Sequence, residues 1–257
     1  TVHAVAGQLL TLEQGANTTV TNTGSTGKGG FAELSGHDVS LHDIVSLGHG
    51  GHLLIDPVDL TIGPGADSSS NFNQQLLETQ LQNANGYGGD VAVVAGNSIT
   101  IQSLTNGVLD GTNQSGAGTG GRLFLGIGSC TSDCFSNDFV PGGTSASFIK
   151  FDTLTDEILL DGALTIDAGQ GTIDVGNFQA HAIALAADGD IGFGTLVTHD
   201  SGGTDSPDVS VVSSGGNISG SGQILASSAV FGPHVRLDSG QGSIDLGTND
   251  IVVAGTG

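Results

Sequence analysis

The chain has 257 residues, including 45 Gly and 10 Phe but one Tyr and no Trp or Met. Large aromatics supply much of the buried area of globular cores, so this core must be built from Val, Ile, Leu and Ala in thin repeated layers. Lys28, Arg122, Lys150 and Arg236 are the only basic residues against 26 acids, and a net charge of -22 makes nucleic acid and anionic membrane surfaces poor partners.

Glycine at this level without a strict Gly-X-Y period excludes collagen, and 37% hydrophobic content argues against disorder. Aliphatic pairs in i, i+2 register mark short strands along the whole chain. In order they include Val39/Leu41, Leu53/Ile55, Leu60/Ile62, Val91/Val93, Ile99/Ile101, Leu164/Ile166, Ile173/Val175, Ile183/Leu185, Val209/Val211, Val235/Leu237 and Ile244/Leu246. Gly, Asn, Asp and Ser lie between them, residues that turn a chain through positive φ or by bonding their own backbone.

Two passages interrupt this rhythm. From Asn71 to Gln82, NFNQQLLETQLQ sets Phe72, Leu76, Leu77 and Leu81 on one helical face, which predicts a short helix over 71–82 lying on the wall of the fold, stopped by NANGYGG. From Asn106 to Ser147 the sequence is rich in Gly, Ser, Thr and Asn. It reads as a loop-rich excursion over 106–147 with one strand at Arg122–Leu125, and such loops often carry recognition surfaces.

DAGQGTIDVG, Asp167 to Gly176, nearly repeats as DSGQGSIDLG, Asp238 to Gly247, an offset that suits three coils of about 24 residues. A sandwich or barrel is the alternative for short strands with Gly turns. The Asn-Gly pairs are not spaced as hairpins require, the strands are very short, and the aromatic anchors of sandwich cores are missing. The expected fold is therefore all-β: one right-handed parallel β-helix over 1–257, with one short helix and a long loop excursion. Nine or so coils at about 4.8 Å each would make a rod about 45 Å long. The opening AGQLLTLEQ and the closing NDIVVAGTG read as ordinary coils, not caps. Bare solenoid ends expose strand edges, which predicts continuation of a longer chain or end-to-end self-association. The start at Thr1, with no Met and no signal peptide, suggests processing or excision from something longer.

The passage GGFAELSGHDVSLHDIVSLGHGGHLLIDPVDLTI, Gly29 to Ile62, resembles the repeat of filamentous-haemagglutinin-type adhesins exported by two-partner secretion, in which a "GGFVE-SG" coil precedes a "LLIDP-DLTI" coil. The stretch LLETQLQNANGYGGDVAVVAGNSITI, Leu76 to Ile101, resembles the same family's short helix followed by its next coil. The resemblance covers roughly the first 100 residues. It implies a right-handed β-helix at the bacterial cell surface, an outer-membrane secretion partner, and adhesion or biofilm roles. It carries no catalytic residues, and the family's NPNG-type secretion motif is not visible in this sequence.

Candidate sites are few. Cys130 and Cys134, in GSCTSDCFSND, suit a small loop-closing disulfide in an oxidising compartment. Asn17, Asn113 and Asn217 each open an N-x-[ST] triplet, a possible glycosylation acceptor that also arises by chance in a Ser/Thr-rich chain. His37, His42, His49 and His52 cluster, but only Asp38 and Asp43 lie near enough in sequence to complete a metal sphere, and turn decoration is the simpler reading. The calcium-binding nonapeptide of other β-solenoids is absent, so no metal or other cofactor is expected. The carboxylates Asp167, Asp174, Asp188, Asp190, Asp238 and Asp245 sit beside glycine in turns, and no paired acid-base arrangement stands out. A non-catalytic surface adhesin or fibre shaft, meeting a host or surface glycan or protein through 106–147, is the functional expectation. The alternative is a subunit that polymerises end to end into an extracellular filament or sheath.

Overall fold

The computed structural model describes residues 1–20, 29–48, 50–65, 70–82, 89–112, 121–130, 134–136, 138–199, 207–228 and 232–255. Alternating aliphatic residues form short strands that stack in parallel, each against its counterpart one coil on. The first face is a continuous ladder of Val2–Leu12, Phe31–Leu41, Gly51–Asp56, Gly89–Ala95, Leu123–Cys130, Leu164–Asp167, Ile183–Ala187, Val209–Ser213 and Val235–Ser239. These strands mark nine coils. At about 4.8 Å between strands they form a stack roughly 40 Å deep.

The second face continues from the bent ends of the first two long strands through Asn71–Asn73, Asp59–Gly63, Ser98–Ile101, Phe148–Phe151, Thr172–Asp174, Ile191–Phe193, Ile218–Gly220 and Ile244–Asp245. The third is in two pieces. Thr18–Thr19 pairs with Val45–Ser46, and a second stack runs Val108–Asp110, Glu157–Leu159, Asn177–Ala180, Leu196–Thr198, Ile224–Ser228 and Ile251–Gly255. The fold is a parallel β-helix. Its inward side chains form one apolar column in which Leu53, Ile55, Val91, Val93, Ile99, Ile101, Leu123 and Leu125 are sealed from solvent. The repeated decapeptides fall in register: Asp167 pairs with Ala186, Ala186 with Val212, and Val212 with Asp238, three coils on.

The high glycine content has a packing cause. At the corner entering the first face, a methyl on Gly89 would strike the backbone of Gly51, and one on Gly121 the backbone of Gly89. A second column, Gly171, Gly189, Gly216 and Gly242, lines the corner between the first and second faces in the same way. Stacked coils approach so closely at these corners that any side chain would force the backbones apart.

The helix is shorter than its sequence pattern suggests. It spans Gln74–Leu81, and Asn71–Asn73 is a strand in which Phe72 points into the core like any other rung residue. Phe72 and Leu76 are four apart by coincidence of a strand joining a helix. Asn73 makes the junction: its side-chain oxygen accepts from the amides of Gln75 (2.9 Å) and Leu76 (3.4 Å).

This helix occupies the third-face position between the two strand stacks, and its side chains do the work of a missing strand. Gln80, almost wholly buried, accepts from the Val45 amide at 3.0 Å and donates to the Val45 carbonyl at 2.9 Å. On the other side Gln74 donates to the Val108 carbonyl (2.6 Å) and accepts from the Thr105 amide (2.8 Å). Gln82 donates to the Asp110 carbonyl (2.8 Å), while Glu78 accepts from the Asp110 amide (3.1 Å). Leu77 and Leu81 fill the core beneath.

The excursion also differs from its sequence outline. Val108–Asp110 joins the third face, and Phe148–Phe151, just beyond it, the second. Leu123–Cys130, longer than the expected Arg122–Leu125, is a full rung of the first face. Only a small flap leaves the coil within the described part of 106–147: a 3-10 turn at Cys134–Ser136, then Phe139–Pro141, which returns antiparallel to Gly128–Cys130. It is the one antiparallel pairing among the described residues. The Gly- and Ser-rich composition hid the rung because outward-facing Gly126 and Gly128 are tolerated in a strand that a flap covers.

Gln80→Leu keeps the side-chain bulk but leaves the Val45 amide and carbonyl unpaired. It should cost about 2–4 kcal/mol, read as a lower urea midpoint with an unchanged denaturant slope.

Candidate functional site

On the first face, residues between the inward ones point outward, where solvent is expected. For three coils they are apolar instead. Leu54, Ala92, Val94 and Phe124 form a second buried cluster outside the coil, joined by Cys130 and Cys134 and flanked by Phe31, Phe135 and Phe139. Four of the ten phenylalanines thus lie on one patch of outer wall.

The flap is what buries this patch. Cys130 and Cys134 are disulfide-bonded, with Cα atoms 5.7 Å apart. Phe139 packs edge-on against Phe124 (centroids 4.8 Å), and Phe135 approaches the same ring at 6.1 Å. Gly126 makes room for this, since a methyl there would run into the Phe124 and Phe139 rings.

A cleft of about 410 Å³ remains between the flap and the wall, lined by Phe124, Phe135, Phe139 and Pro141 on one side and by Ala163, Thr165 and Asp167 on the other. Ligand sites occupy about 300–1,000 Å³ and combine apolar walls with a few placed polar groups. Arg122 closes one end. Its guanidinium lies 4.4 Å from the Phe135 centroid and bonds Asp90 through Nε (2.9 Å) and Nη2 (2.5 Å). Asp90 also accepts from the Arg122 amide (2.8 Å) and faces His52 Nε2 at 3.7 Å. At the other end, burial pushes the Asp167 carboxyl above its ordinary pKa; a bond from the Gly169 amide opposes this and the Asp188 charge adds to it.

A second carboxylate is perturbed farther up the same face. Burial, with the charge of Glu33 beside it, raises Asp56 to about 6. Glu33 itself accepts from Ser35 Oγ (2.9 Å) and lies 2.6 Å from His3 Nδ1.

The remaining residues singled out in the sequence are scattered. His37 lies 3.3 Å from its neighbour Asp38, His42 bonds Ser40 (2.9 Å), and His52 packs edge-on against Phe135 in the flap; His49 lies outside the described residues. Among the described residues no three His, Cys, Asp or Glu side chains converge as a metal site would require. Asn17 is exposed and accepts from Thr19 Oγ1. Asn217 is also exposed but engaged, bonding Asp190 one coil before and the Ser243 amide and hydroxyl one coil after. Asn113 lies outside the described residues. Among the turn carboxylates, Asp167 and Asp245 accept from Gly169 and Gly247, and Asp188 accepts from Ser214.

No family model, curated protein or solved structure matches this chain. The sequence pointed to the two cysteines but not to Phe124, Phe135, Phe139 or Thr165. The available signal was the placement of Phe135 and Phe139 in a glycine- and serine-rich loop, where no core position calls for them.

The raised Asp56 gives a signed expectation. Its folded-state pKa lies above its unfolded value, so the native state binds the proton more tightly and stability falls as pH rises from about 3.8 to about 6. Asp56→Asn should raise the thermal midpoint at pH 7 and flatten its pH dependence across that window.

Proposed function

We propose that this chain is a non-catalytic shaft segment of an extracellular adhesin or surface fibre, which meets its target at the flap on the first face. The observation that carries this reading is the flap itself. Besides the helix on the third face, the repeating coils depart from their pattern at the flap, and there the wall gathers aromatics under a disulfide. Disulfides persist in oxidising surroundings such as the bacterial surface. The sequence resemblance to filamentous-haemagglutinin-type adhesins supports export through an outer-membrane partner. The described cations also fit: Arg122, Lys150 and Arg236 each face an aspartate, so no basic patch serves a polyanion.

Purified chain should attach saturably to epithelial-cell or biofilm-matrix preparations, and Cys130→Ser/Cys134→Ser should lower attachment about tenfold while the far-ultraviolet β signal stays. Equal attachment by both proteins would remove the flap from the reading.

A second reading is a subunit that stacks end to end into a filament or sheath. Ile244, Ile251, Val252 and Val253, in the last described coil, are each about half exposed, and an open coil edge is a template for another coil. Electron microscopy with sedimentation in dilute neutral buffer separates the two readings: filaments of indefinite length support self-assembly, and short monodisperse rods support the shaft.

A further inference from the structure

The cleft under the flap has a chemistry that narrows its ligand. One wall is made of phenylalanine rings, the other of a short aliphatic side chain, a hydroxyl and a carboxyl. The Thr165 hydroxyl makes no hydrogen bond among the described residues. Asp167 Oδ1 takes the Gly169 amide at 2.9 Å, and its second oxygen has no partner there. Thus one hydroxyl and one carboxylate oxygen stand available beside an aromatic wall.

The charges decide between ligand classes. An anion would find no free cation, because Arg122 is already bonded to Asp90 and lies on Phe135. A cation would be drawn to aromatic faces and acid, but that guanidinium already occupies the Phe135 face and repels a second positive charge. A purely apolar segment would strand the Thr165 hydroxyl and the Asp167 carboxylate away from water without partners. A pyranose ring satisfies all three conditions: its flat C–H face packs on aromatic rings, and its hydroxyls both donate and accept at the rim.

We infer that the cleft between the Cys130–Cys134 flap and the first face is a binding site for an uncharged sugar ring, packed against the aromatic wall at Phe139 and hydrogen-bonded at its edge by Thr165 and Asp167. The site names the ligand class for the adhesin reading and rests on it for its biological role, though not for its chemistry. Ala163 lines the cleft, half-buried and outside the aromatic cluster.

The test is saturation-transfer NMR and calorimetry of the full chain with cellobiose, lactose and maltose, using digalacturonate and Nα-acetyl-lysine amide as charged comparators. At least one neutral disaccharide should bind at millimolar strength. Ala163→Trp, which fills the cleft, should weaken binding at least tenfold with the thermal midpoint unchanged. Thr165→Val should weaken it three- to tenfold, and carries the test if the Trp variant fails to fold. Absence of transfer to all three sugars, tighter binding of a charged comparator, or indifference to both substitutions would overturn the assignment. Cell or matrix attachment measured in parallel keeps the two proposals apart. Attachment retained by Ala163→Trp overturns the cleft and leaves the adhesin reading, while disaccharide binding without attachment leaves the cleft and removes adhesion.

Discussion

Everything in this molecule depends on the backbone ladder that runs from coil to coil. A parallel ladder fixes the spacing of its strands and aligns equivalent residues one above another. On the first face it carries Leu53 onto Val91, Val91 onto Leu123 and Leu123 onto Leu164 without a change of register. Small and branched residues suffice for the core because the interior is narrow and each layer is completed by the next. Glycine is needed at the corners because the same spacing brings turns of successive coils into contact. A polar seam follows too: Asp190, Asn217 and Ser243 sit one above another on consecutive coils and bond each other in sequence.

The ladder explains which parts of the fold were readable in the sequence. Alternation survives in the later rungs, so Leu164/Ile166, Ile183/Leu185 and Val209/Val211 announce strands directly, and the near-identical decapeptides match the coil count between them. The junctions were not readable. Asn71–Asn73 and the following helix share one apolar face by coincidence, so the pattern alone ran them together. Leu123–Cys130 was cut short because Gly126 and Gly128 lower strand propensity, although a covering flap removes the need for side chains there.

The candidate site was less legible than the fold for a related reason. A disulfide between residues four apart is a local feature and can be suspected from spacing alone. The cleft is not local: Arg122 and Phe124 belong to one coil, Ala163, Thr165 and Asp167 to the next, and Phe135 and Phe139 to the flap. Only the register Phe124 to Thr165 brings them together, and register is a property of the stack. The outward apolar residues Leu54, Ala92 and Val94 also look, in sequence, like extra core.

The helix at Gln74–Leu81 has a mechanical consequence. Tension along the rod is carried on the first face by backbone bonds that act in parallel and share the load. Between Val45 and Val108 the third face is joined through flexible glutamine and glutamate side chains instead, whose torsions rotate before their hydrogen bonds stretch. One wall of the rod is therefore softer there than the opposite walls. A force applied at either end bends the shaft about this point, toward or away from the helix, while the coils above and below remain stiff.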